Sequence, residues 1–131
     1  MKRKGISILI MPICTILIIF ACGYLIRFYL QKTSSELILR LETVEQYADQ
    51  NNWDAAYSEM KSVDSLWERR EKVWGMFINH HETDNISISL KSSLVYINKE
   101  DSVESLSSLS ALRYYISHIP VIERISLKNI L

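Results

Sequence analysis

The chain has 131 residues, 48% of them hydrophobic and 23% charged, and its 15 basic and 15 acidic side chains cancel to a formal zero. That length bounds it to one small domain and whatever precedes it. With 3 glycines and 2 prolines, the raw material for turn-rich all-β folds and for phosphate-cradling glycine loops is missing.

The zero is an average over two unlike parts. Residues 1–32 carry Lys2, Arg3, Lys4, Arg27 and Lys32 and no acid, while residues 33–131 hold the other 10 bases and all 15 acids. A module with a negative excess lacks the clustered basic face that phosphate binding requires, so nucleic acid is not an expected partner. Both cysteines, Cys14 and Cys22, precede the module. Within it no disulfide, thiolate nucleophile or thiolate zinc site can form.

Residues 5–26 run without a charge. As a helix rising about 1.5 Å per residue they span roughly 33 Å, enough for a hydrocarbon core of about 30 Å. Pro12 lies near one end, where a membrane helix tolerates it, and Tyr24, Phe28 and Tyr29 stand where an interfacial aromatic belt is placed. An uncleaved anchor is the leading reading. Two others use the same residues. A cleaved export signal has an apolar region of about 7–15 residues, shorter than this one. A lipoprotein box is suggested by Ile19-Phe20-Ala21-Cys22-Gly23, but Phe20 fits it poorly and Tyr24-Leu25-Ile26 continues the span. Lys2, Arg3 and Lys4 precede the span and Arg27, Lys32 and Arg40 follow it, so charge gives only a slight bias to a cytoplasmic amino terminus. The expected placement is a single-pass protein of the cell membrane with its module outside.

Thr33-Ser34-Ser35-Glu36 has the form of a reciprocal cap, so a helix restarts or continues here. Leu37, Leu41, Val44 and Ala48 form its apolar stripe to about Gln50, and Asn51-Asn52 supply a turn. Next, Trp53, Met60, Trp67, Trp74 and His81 recur every seven residues, with Ala56, Val63, Arg70 and Phe77 as the companion series. This predicts one long helix over about 54–79 whose aromatic row is core, with Arg70 sending its head to water and Glu68 supporting Lys72 four residues on. A third helix opens at Thr83-Asp84-Asn85, carries Ile86, Leu90, Leu94 and Ile97, and closes at 98–101. Asp101 with Glu104 caps a fourth, carrying Val103, Leu106, Leu109, Leu112, Ile116 and Ile119 until Pro120 stops it. The fold class is all-α, a single N-terminal transmembrane helix followed by an antiparallel bundle of about four helices. Its two parts are residues 1–32, the basic leader and anchor, and 33–131, the bundle with its apolar tail.

At an offset of 49, Leu37, Leu41, Tyr47, Ala48, Tyr57, Met60, Val63 and Trp67 align with Ile86, Leu90, Tyr96, Ile97, Leu106, Leu109, Leu112 and Ile116, a hint of two hairpins in one register. The tail, 121–131, is rich in Val, Ile and Leu and is expected to pack back on the bundle or to present an apolar surface to a partner.

The one polar constellation is His80-His81-Glu82-Thr83-Asp84. On a helix His80 and Asp84 share a face, half of a metal site, though without the spacing that sets two imidazoles four apart. The plainer reading is a helix junction, in which the histidines end the long helix against its dipole and Asp84 caps the next. His118, before Pro120, has the same dipole explanation. Asn85-Ile86-Ser87 matches a glycosylation sequon inside a predicted helix. No catalytic, cofactor-binding or metal residue is assigned, since no nucleophile, base and oxyanion donors assemble.

The basic leader, the span, Asn52-Trp53-Asp54-Ala55-Ala56, Trp67, Trp74, His80 through Ile86, His118-Ile119-Pro120 and Leu127-Lys128-Asn129-Ile130-Leu131 together resemble a bacterial domain-of-unknown-function family of small single-pass helical proteins, found chiefly in spore-forming Gram-positive lineages. The resemblance covers nearly the whole chain; His80, where such sequences often carry aspartate, departs from it. It implies an anchor, a helical module and a Gram-positive membrane, and it brings no functional residue. The function expected is a non-enzymatic interaction or scaffold module at the envelope, its partners the lipid bilayer and another envelope protein. The alternative is a metal- or small-ligand sensor using His80, His81, Glu82 and Asp84.

Overall fold

The computed structural model describes the backbone of residues 2–130 and the side chains of residues 10–119. Among the described residues the chain forms four helices: α1 (Lys2–Asp49), α2 (Trp53–Trp74), α3 (His80–Asn98) and α4 (Ser102–Ile130). Each packs on two neighbours, α1 on α2 and α4, α3 on α2 and α4, so they run up and down around one core.

The apolar stretch expected to be an anchor and the first helix of the module are one helix. α1 passes Pro12 and continues through residues 32 and 33 without a break. The expected cap at Thr33-Ser34-Ser35-Glu36 is therefore not made, and Thr33, Ser34 and Glu36 have tertiary partners instead. Thr33 Oγ1 accepts a hydrogen bond from Trp74 Nε1 at 3.1 Å, and Ser34 Oγ donates to the Ile116 carbonyl at 3.3 Å. Beyond them Leu37, Leu41, Val44 and Ala48 are buried as their spacing predicts. The first half of α1 is the opposite: from Ile10 to Phe28 its large apolar side chains are mostly exposed.

α2 buries Ala56, Met60, Val63, Trp67 and Trp74, with the two indoles edge to face, centroids 5.2 Å apart. The aromatic row is core. The helix ends at Trp74, however, not near Asn79: Gly75 caps it and Met76, Phe77 and Ile78 close a tight turn on the Val73 and Trp74 carbonyls. Asn79 then caps α3 by accepting from the His81 amide at 3.0 Å. His80 and His81 consequently open α3 instead of ending α2, and neither Phe77 nor His81 joins the seam.

The fourth helix is capped as expected, the Glu104 amide donating to Asp101 Oδ1 at 3.1 Å. Its stripe begins later than predicted: Val103 and Leu106 are exposed, whereas Ser105, Leu109, Leu112, Ile116 and Ile119 are buried. Nor does Pro120 stop it. A proline at 120 has no N–H for the carbonyl four residues earlier, and that orphaned Ile116 oxygen is the one Ser34 serves. α4 runs on to Ile130, so His118 is not in a last turn; it stacks on Tyr114 with centroids 4.7 Å apart. The packing of the apolar tail lies outside the described side chains.

The offset of 49 holds in three dimensions. Asn51 and Glu100 both adopt positive φ, 55° and 56°. Asn52 and Asp101 both accept from the amide three residues on. Buried Ser34, Leu37, Leu41, Val44, Ala48, Ala56, Met60, Val63 and Trp67 fall on buried Thr83, Ile86, Leu90, Ser93, Ile97, Ser105, Leu109, Leu112 and Ile116. The two hairpins are built on one template.

Candidate functional site

The end of α2 and the start of α3 enclose an open recess of about 400 Å³, lined by Glu71, Lys72, Gly75, Met76, His80, Thr83 and Asp84. It lies where α2 has ended at Trp74 and α3 opens at His80. Gly75 lets the Glu71 backbone and the His80 ring approach closely: a Cβ there would stand 3.3 Å from the Glu71 carbonyl oxygen and 3.8 Å from the His80 ring.

Of the four residues proposed for a sensor, His80 and Asp84 line this recess, one helical turn apart, while His81 and Glu82 do not. Glu71 and Lys72 do line it and escaped the sequence reading, which carried α2 past them as a solvated stretch. Lys72 is exposed and Glu71 is half-buried. Glu71 Oε1 accepts from Ser87 Oγ at 2.8 Å, and Ser87 in turn accepts from Trp67 Nε1 at 2.7 Å. The sequon serine is thus engaged in a relay between the core and the recess. Among the described residues no group of three His, Cys, Asp or Glu side chains could hold a metal ion. The recess contains neither His81 nor His118.

Ion pairs tie α1 to α2 and α4, and α2 to α3. Arg70, expected to send its head to water, instead donates to Glu36 Oε2 at 2.6 Å and to the Thr33 carbonyl at 3.3 Å. That hydrogen bond, opposed by desolvation and helped by the charge of Arg70, holds the Glu36 carboxyl below its ordinary range. Arg40 reaches Glu59 at 3.1 Å, and Arg113 reaches Glu45 at 2.5 Å. Lys91 bonds Asp64 at 2.8 Å, which raises its pKa, and lies 3.6 Å from Glu68, the residue expected to support Lys72. All are interhelical, and they hold the bundle's register more than they add stability.

These features define an all-α bundle continuous with one helix that is long and apolar enough to cross a membrane. The chain belongs to a family described as a domain of unknown function (DUF4363), which matches residues 24–130 and so takes in all of α2, α3 and the described length of α4 beside the module half of α1. No curated protein and no solved structure matches it.

Proposed function

We propose that the chain is a membrane-tethered, non-enzymatic helical module that binds another protein at the envelope of a Gram-positive bacterium, with its bundle on the outer side. The observation that supports this is the division of α1. Its second half is the wall of a packed core, whereas Ile10, Met11, Ile13, Ile16, Leu17, Ile18, Ile19 and Phe20 in its first half are all exposed. An exposed apolar face of that extent is stable when a bilayer or a partner covers it, and its length suits a bilayer. Tethering raises the local concentration of the module for any partner in the same membrane. The acidic, cysteine-free composition of the module fits an oxidising exterior.

Crosslinking of the full chain in native membranes tests the reading. A defined protein adduct is expected, and recovery of monomer and lipid alone overturns it. The side of the membrane is read separately, by labelling Ser110→Cys in intact cells with an impermeant thiol reagent after both native cysteines are replaced by serine. Ser110 is exposed on α4, so labelling is expected outside and its absence places the bundle inside.

A further inference from the structure

The two ends of the bundle differ. At one end the turns themselves consist of Gln50, Asn51 and Asn52 and of Lys99, Glu100 and Asp101, every one polar and exposed, although Val103, 75% exposed, follows in the first turn of α4. At the other, the α2–α3 turn presents Met76 and Phe77, 70% and 37% exposed, while the next residue, Ile78, packs on the core. Two adjacent apolar side chains turned away from a core that accepts their neighbour have a cost in water and none in an apolar or interfacial setting.

The contacts of α2 with α1 fix the height of this turn. Arg40 meets Glu59, Glu36 meets Arg70, and Thr33 meets Trp74, so α2 descends along α1 toward the anchor. Thr33 is seven residues beyond Ile26, the last residue of the uncharged stretch. At a rise of 1.5 Å per residue it stands about 10 Å above the end of the span. Met76 and Phe77 follow Trp74 in the same downward direction, with their amides closed onto Val73 and Trp74 in a tight turn that gains about 3–5 Å. They therefore stand about 5–7 Å above the span, which is the depth of one headgroup layer, about half the difference between a 30 Å hydrocarbon core and a 40–45 Å bilayer.

We propose that the α2–α3 turn is a second membrane contact, in which Met76 and Phe77 seat in the phospholipid headgroup region beside the anchor. The proposal rests on residues 5–26 spanning the bilayer; its occupant is lipid because the contacts of α2 with α1 put the turn at the height of the headgroup layer beside that span. A side chain of this kind gains from the interface by its apolar area, and the contact sets the bundle upright with the 50–52 and 99–101 turns farthest from the membrane.

The test uses the full chain, Cys14 and Cys22 replaced by serine, in nanodiscs of phosphatidylethanolamine and phosphatidylglycerol. An environment-sensitive fluorophore is attached in turn at Phe20→Cys, Met76→Cys, Phe77→Cys and Asn51→Cys, and quenching by headgroup- and acyl-chain-borne nitroxides is read at each. Strong acyl-chain quenching at 20, headgroup quenching at 76 and 77, and none at 51 are expected. Quenching at 20 with none at 76 or 77 overturns the second contact and leaves the anchor standing. Quenching at 51 as strong as at 77 overturns the upright seating, and absence of quenching at 20 overturns the anchor and the proposal with it. Helical circular dichroism of each labelled chain establishes that the bundle is folded.

Discussion

Ser34 Oγ donates to the Ile116 carbonyl across 82 positions of sequence, at 3.3 Å, where Pro120 leaves that oxygen without its helical partner. Removing the hydroxyl alone leaves a buried carbonyl unsatisfied. Ser34→Ala is expected to cost about 1–3 kcal/mol. In a Pro120→Ala background, where residue 120 regains an N–H, the same substitution is expected to cost less than about 1 kcal/mol. Chemical denaturation of the four chains in detergent micelles measures the coupling, and additive effects refute the compensation.

The Glu36–Arg70 pair gives stability a pH dependence of defined sign. Because the carboxyl is held below its ordinary pKa in the folded chain, its contribution is fully present above about pH 4.3 and is lost as pH falls through the lower folded value. With the Glu36 side chain 43% exposed, solvent screening keeps that contribution within about 1 kcal/mol. Glu36→Gln is expected to melt below the parent chain at pH 7, and the gap to close progressively as pH falls below about 4.3 and the Glu36 carboxyl of the folded chain protonates. A constant gap between the two chains over that range would show that the charge is not what matters.

The paired turns differ in what stands at their left-handed residue. Asn adopts this conformation at little cost, glutamate at a cost of roughly 1 kcal/mol. Replacing Glu100, φ 56°, with glycine is expected to stabilise the fold by about 1 kcal/mol, whereas Asn51→Gly, at φ 55°, changes it little or lowers it. Thermal melts of the two single variants decide the point, and equal shifts would count against it.

Absence of a linker between span and bundle is measurable by pulsed electron resonance. Leu17 and Leu39 are both exposed on α1, 22 residues apart. Nitroxides at these positions are expected about 33 Å apart, from the 1.5 Å rise, in a narrow distribution. A broad or much shorter distribution would reveal a joint.

Local signals in the sequence were sufficient for the stripe of Leu37, Leu41, Val44 and Ala48, for the turns at 51 and 100 and for the Asp101 cap, because each depends on residues within a turn of one another. They misled at Thr33-Ser34-Ser35-Glu36 and Arg70, whose chemistry is ordinary for caps and solvated faces but whose partners lie 34 to 82 positions away. Pro120 failed for the same reason, its helix-breaking effect being offset by a hydroxyl on another helix. At the recess, the shared face of His80 and Asp84 was legible from their spacing. The contributions of Glu71 and Lys72 were not, since the seven-residue repeat ran on through Gly75 and hid the place where α2 ends.

The jointless course of α1 makes the bundle a pointer. From Ile26 to Asp49 the helix extends about 35 Å beyond the stretch proposed to span the bilayer. Spanning helices lean by about 20° on average, and a change of about 10° in that lean would sweep the outer turns sideways by about 6 Å over such a length. Shifts of bilayer thickness or lateral crowding would thus arrive at the distal tip as displacement, with no hinge to absorb them on the way.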